Sequence, residues 1–175
     1  MPRLTLVMFL IIVCCSAANA SRQELLSKYI LQADKFGPVM VGGPPDEASK
    51  TLGITLTSGV LPGEDDRSCH YVYPEGKFGD IGFMVEDGLI TRIDIYSTAI
   101  AAKGTIHIGD DESLVRKVYP GKVKEEIHPY IGKDGKYLIV EVKPGYAYVF
   151  ETDRGRITTF RAGKLASVKY IEGCQ

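Results

Sequence analysis

The chain has no tryptophan, and its one asparagine is Asn19, so no N-glycosylation acceptor remains past Ala20. It also lacks a basic excess. Its 21 Lys and Arg against 22 Asp and Glu leave a formal net charge of −1. A protein that tracks phosphate backbones carries a surplus of cations, so nucleic acid is excluded as a partner. The three histidines, His70, His107 and His128, stand singly and without metal-ligand spacing. Phosphate-binding glycine loops (G-x-x-x-x-G-K-S/T, G-x-G-x-x-G) and the G-x-S-x-G nucleophile elbow are missing as well. No catalytic residue, metal or cofactor is therefore expected, and the chain leans away from an enzyme. The acidic runs have plainer readings: Glu64-Asp65-Asp66 as a solvated loop, Asp110-Asp111-Glu112 as a helix start.

One apolar run is present, Leu4–Val13, and it is too short to span a bilayer. With Arg3 before it and Ala18-Asn19-Ala20 after it, residues 1–20 have the form of a signal peptide cleaved after Ala20. The expected location is secreted or periplasmic, with no membrane span after cleavage. Of the four cysteines, Cys69 and Cys174 lie beyond that point. In an exported chain an isolated pair predicts one disulfide closing a long loop.

What the chain has in place of motifs is a repeat. Gly37–Gly53 (GPVMVGGPPDEASKTLG) and Gly104–Pro120 (GTIHIGDDESLVRKVYP) share glycines at a spacing of 67 residues. Each copy has an alternating apolar arm, a glycine, a polar helix start and a short helix. Before the first copy, the apolar stripe Leu25, Leu26, Tyr29, Ile30 and Ala33 predicts a helix over Ser21–Lys35. Strands are predicted over Cys69–Tyr73, Ile81–Val85 and Leu89–Tyr96, the last two joined by an Asp87-Gly88 hairpin turn. In the second half they are predicted over Val123–Tyr130, Tyr137–Val142, Tyr146–Glu151, Ile157–Arg161 and Leu165–Ile171. A second match, Gly88-Leu89-Ile90 with Gly163-Lys164-Leu165, falls at a spacing of 75 and implies eight inserted residues in the second copy. The expected fold is α+β: two tandem modules, 21–98 and 99–175, each with two helices on one face of an antiparallel sheet.

Carried by Gly37…Gly42…Leu52-Gly53, by Gly104…Gly109…Val118-Tyr119-Pro120 and by the hairpins, the pattern resembles the beta-lactamase-inhibitor-protein fold. It also resembles the SmpA/OmlA outer-membrane lipoprotein module. The chain departs from the lipoproteins in lacking a convincing acylation site, and from the inhibitor in having one cysteine pair rather than one per module. The resemblance implies a scaffold and brings no contact residues with it.

Tyrosine is the compositional pointer, with ten in the chain. Tyr71, Tyr73, Tyr146 and Tyr148 lie on predicted strands. If helices cover one face of the sheet, the other is free, and tyrosine supplies rigid, amphipathic contact area. Tyrosine is also simply a good strand residue that caps a core edge with its hydroxyl outward. The functional expectation is an exported, non-enzymatic protein that binds another exported or envelope protein through a Tyr-bearing sheet face. The alternative is a small secreted hydrolase.

Overall fold

In the computed structural model, which describes residues 26–59, 68–75 and 80–174, period-2 apolar patterning builds a mostly β protein. In chain order the elements are β1 (Ile30–Gln32), β2 (Lys35–Phe36), β3 (Val39–Met40), α1 (Pro45–Leu52), β4 (Leu56–Ser58), β5 (Cys69–Pro74), β6 (Ile81–Glu86) and β7 (Leu89–Ile95). There follow β8 (Ala101–Ala102), α2 (Ser113–Val118), β9 (Val123–His128), β10 (Gly132–Lys143), β11 (Tyr146–Asp153), β12 (Arg156–Lys164) and α3 (Leu165–Val168). Eight of the strands form one long antiparallel sheet in the order β4-β5-β6-β7-β12-β11-β10-β9. The other four form a small sheet, β3-β2-β1-β8.

The expected α+β fold of two helix–helix–sheet modules is therefore corrected. Among the described residues there are two sheets and three short helices. The helix predicted over Ser21–Lys35 ends before Ile30, and its residues 21–25 lie outside the described residues, as do the signal segment and Glu64-Asp65-Asp66. Leu31 and Phe36 are fully buried. β1 pairs parallel to β8, and the Leu31 carbonyl accepts a 3.2 Å hydrogen bond from the Tyr148 hydroxyl. These long-range partners outweigh the local helical stripe, as tertiary contacts routinely override weak propensity. At the other end, the strand predicted over Leu165–Ile171 is α3 followed by an irregular segment.

The two halves of the long sheet carry the same hydrogen bonds 67 residues apart. Gly42 N–H donates to the Ile90 carbonyl (2.7 Å), and Gly109 N–H to that of Ile157 (2.8 Å). Both glycines sit at φ 95°, where an L side chain is strained. The hairpin turns match as well. Asp87-Gly88 has φ 51° and 77°, and Arg154-Gly155 has 46° and 77°. Gly88 thus corresponds to Gly155, not Gly163, and the spacing of 75 with its eight inserted residues is corrected. β7 and β12 join the halves, with Ile95 opposite Phe160, Asp94 opposite Arg161 and Ile93 opposite Ala162.

The main core fills the face under the small sheet and α1 and α2, with Ile81, Phe83, Ile93, Ile95, Tyr148, Phe150 and Phe160 buried there. The opposite face has a smaller apolar cluster, Tyr137, Ile139, Ala147, Val149 and Val168, where α3 packs. Beyond that cluster the second face carries the buried Met84 and the charged side chains of Arg92, Asp94 and Arg161.

Candidate functional site

Alternation along the strands and the register across them place one set of side chains on the second face. The cross-strand row runs Gly82–Asp94–Arg161–Val149–Ile139. An adjacent row holds Thr159, Glu151 and Tyr137. On β5, Tyr71 and Tyr73 cross β6 with their rings 5.8 Å apart and nearly parallel. Gly82 makes this crossing possible, because a Cβ there would lie 3.1 Å from the Tyr73 ring and 3.2 Å from that of Tyr71.

Two ion pairs are sunk into this face. Arg92 Nη2 lies 2.7 Å from Asp94 Oδ1, and both side chains are 4% exposed. Arg92 Nε completes the fork at 2.9 and 3.0 Å. The Tyr71 hydroxyl donates to Asp94 Oδ2 at 3.1 Å. Burial, and then the Asp94 charge, push the Tyr71 phenol far above its ordinary value, so it is a neutral donor. The second pair is Arg161 with Glu151, through Nη1 and Oε1. Glu151 Oε2 also meets His128 Nε2 at 3.3 Å. His128 Nδ1 accepts from the Tyr130 and Ile131 amides at 3.2 and 3.3 Å, which puts the ring proton of neutral His128 on Nε2, facing Glu151.

The same two arginines hold the end of α3 and the chain that follows it. Arg92 Nη1 donates to the carbonyls of Ser167 (3.2 Å) and Tyr170 (2.6 Å). Arg161 Nε donates to the Val168 carbonyl at 2.7 Å. Residues 169–174 then cross the face as a strap. Gly173 lies so close to Tyr71 that a Cβ would come within 2.8 Å of the hydroxyl. Cys174 closes the strap with a disulfide to Cys69, which spans 105 residues of sequence.

Cavities open on both sides of this strap. One of about 380 Å³ is lined by Tyr71, Tyr73, Arg92, Asp94, Tyr96, Thr159 and neighbours. A second, of about 360 Å³, is lined by Tyr137, Ile139, Val149 and Val168 together with Glu126 and Lys169. Arg161 and Ile171 border both. A third, of about 480 Å³, lies between the strap and Ser68, Cys69 and Glu86.

The structure brings Tyr71 and Tyr73 into this site and places Tyr146 and Tyr148 on the opposite face. Tyr148 is 1% exposed in the main core. Tyr146 packs at the edge of that core, with Lys143 Nζ 4.3 Å from its ring centroid. Arg92, Asp94, Glu151, Arg161 and His128 were not anticipated. Their signal lies in the sequence: Arg92 and Asp94 alternate with Ile93 and Ile95 at the centre of a strand, and Gly82 interrupts an apolar one. A strand-interior glycine marks a close approach by another group. His107 lies elsewhere, its Nδ1 3.0 Å from the Thr105 carbonyl. Among the described residues, no group of three or more His, Cys, Asp or Glu is placed to hold a metal, and no helix is long and apolar enough to cross a membrane.

No family model and no curated protein matches the chain. Its fold is similar to that of the uncharacterized protein yfeY from Escherichia coli. The TM-score is 0.51 at 16% identity, covering 77% of this chain and 99% of that one. It is also similar to part of an extracellular protein containing a SCP domain from Bacillus anthracis str. Ames. Here the TM-score is 0.50 at 11% identity, covering 71% of this chain and 44% of that one. The likenesses concern the fold alone, and neither neighbour carries the name of the beta-lactamase-inhibitor or SmpA/OmlA proteins.

Proposed function

We propose that this chain is an exported, non-enzymatic binding protein that takes another exported or envelope protein on the second face of its long sheet. The observation that carries this reading is the rim of that face. Tyr96 and Ile171, 47% and 44% exposed, line a cavity whose floor is made of buried, paired charges, and Tyr170, 46% exposed, lines the neighbouring one. A half-exposed aromatic rim over a polar floor has the composition of a protein contact surface, where tyrosine gives area at low entropic cost. The disulfide supports an oxidising compartment. The carboxylates support a binding role over an acid–base one. Asp94 is engaged by Arg92 and Tyr71, and Glu151 by Arg161 and His128, so each already serves to hold the face together. An inhibitor of an exported enzyme and an envelope scaffold both fit this reading.

The test is capture from envelope extract with the native protein, with Met40→Ala, and with Tyr96→Ala/Tyr170→Ala. Met40 is exposed on the small sheet, away from the site. Native protein and Met40→Ala should retain the same partner, and the double tyrosine variant should lose at least ~10-fold in affinity, as truncated aromatic anchors do. Recovery of no protein, or equal recovery by the tyrosine variant, refutes the reading.

A further inference from the structure

Arg161 is 3% exposed, yet its Nη2 is the one buried side-chain nitrogen or oxygen among the described residues that has no hydrogen-bond partner. Its other nitrogens are used, Nε by the Val168 carbonyl and Nη1 by Glu151. The guanidinium carbon is 5.2 Å from the Tyr137 ring centroid, a cation–π distance that fixes the group without satisfying that N–H. A buried donor left unpaired is costly, so one in an otherwise satisfied network points to an absent acceptor.

The charges nearby define the acceptor. The 360 Å³ cavity is lined by Arg161 and the exposed Lys169 against Glu126, and Arg161 is already held by Glu151. Glu151 already neutralises Arg161 through Nη1, so an incoming carboxylate or phosphate would have to be desolvated beside a carboxylate that repels it. The acceptor is therefore uncharged. Its carrier is set by the apolar wall of the 360 Å³ cavity, where Tyr137, Ile139, Val149, Val168 and Ile171 suit an aliphatic side chain and not a polyol. The chemistry is already rehearsed by the fold, since Arg92 and Arg161 hold three main-chain carbonyls of residues 167–170.

We infer that this cavity takes an aliphatic residue from an exposed segment of a partner protein, and that the main-chain carbonyl of that segment accepts the free N–H of Arg161. This rests on the reading of the face as a protein-binding surface, and supplies its specificity.

The probe is N-acetyl-leucinamide, an aliphatic side chain between two amide carbonyls. It is titrated into the purified oxidised protein while the arginine side-chain N–H signals and the methyl signals of Ile139, Val149 and Val168 are followed by NMR. Saturable shifts of Arg161 and these methyls, with a dissociation constant on the order of millimolar, are expected for so small a ligand. 4-Methylpentanoate, with the same branched tail on a carboxylate, should bind at least ~10-fold more weakly. Methyl β-glucoside should not shift these signals. Arg161→Lys should abolish the response. Ile171→Ala trims a half-exposed wall residue without touching the ion pairs and should weaken it several-fold, which keeps the test decisive if the lysine variant does not fold. No response to the amide means that water alone occupies Nη2. Tighter binding of the carboxylate, or a response to the glucoside, means a different ligand class, and each of these results overturns the inference. Tyrosine-dependent partner capture without an amide response sinks this inference only. An amide response without any captured protein supports the carbonyl site and refutes the partner reading.

Discussion

Replacing Cys174 by serine cuts the strap from β5 without removing a core side chain. The bond closes a loop of 105 residues. In the chain-entropy treatment, releasing a loop of that size from the unfolded ensemble costs about 4.7 kcal/mol of stability at 25 °C. The native state adds little relief, because the strap remains attached through the Tyr170 carbonyl to Arg92 and through Tyr130 to Glu172. For a chain of 175 residues, each kcal/mol moves Tm by roughly 2–4 °C, so the full effect corresponds to roughly 10–20 °C. Scanning calorimetry of the native protein, with and without a phosphine reductant, and of Cys174→Ser measures it. Cys174→Ser and reduced native protein should melt together, well below oxidised native protein. Hydrogen exchange gives a second, local readout: amides of residues 170–174 should lose protection in the variant while those of β11 and β12 keep theirs well below the melting transition. A Tm within about 3 °C of the oxidised protein would show that the unfolded chain is already constrained or that the bond is strained enough to cancel its benefit, and would refute the entropic reasoning.

Gly163→Ala should be among the most damaging single-methyl additions, because a Cβ there would sit 2.2 Å from the Thr91 carbonyl oxygen, where β12 meets β7. A loss of about 3 kcal/mol in chemical denaturation is expected, and a change under about 0.5 kcal/mol would contradict the packing of the two halves. Glu112 gives the pH dependence. Burial opposes its ionisation, but the hydrogen bonds from Lys136 and Thr152 and the charges of Lys136 and Arg116 outweigh it, so its folded value lies below the ordinary 4.5. A depressed carboxyl contributes stability that is present above the unfolded value and is lost as pH falls through the folded one. Glu112→Gln should therefore be less stable than native protein at neutral pH, and the gap should close below about pH 4. A gap of constant size down to pH 2 would refute the assignment.

The glycine frame was legible because backbone geometry demands particular residues. Gly42 and Gly109 share a positive φ, and the Asp87-Gly88 turn is a local signal with a local cause. Most strands of the long sheet were legible for the same reason, since alternation is written in the chain itself. Ile30–Gln32 was not, because its strand state depends on Ala101–Ala102 and on Tyr148, far away in sequence. Leu165–Val168 is a helix where the sequence predicts a strand, because four residues have no period long enough to separate the two. Composition and strand alternation point alike to Tyr71, Tyr73, Tyr146 and Tyr148, of which the first two lie on the second face and the last two against the main core. The charged residues were overlooked because Arg92 and Asp94, alternating with Ile93 and Ile95, have the pattern of a solvated face. Whether that face meets water depends on what the remote strap does.

The position of the charges follows from the way the halves join. Asp94 and Arg161 occupy corresponding places in the two halves, 67 residues apart, and they are also cross-strand partners in the β7–β12 pairing. An antiparallel junction between two copies of one strand always sets one position opposite its own counterpart. Identical residues there would place like charges face to face, which destabilises a cross-strand pair. Here the two positions differ in sign, and each has acquired its own partner, Arg92 for Asp94 and Glu151 for Arg161. The outcome is two ion pairs around the junction instead of one across it. Of the six guanidinium nitrogens of Arg92 and Arg161, all but Arg161 Nη2 are spent on the acids and on carbonyls of α3 and the strap. The halves therefore share a frame of glycines and strands, while the polar centre is where they have diverged, and the unspent N–H of Arg161 is a product of that divergence.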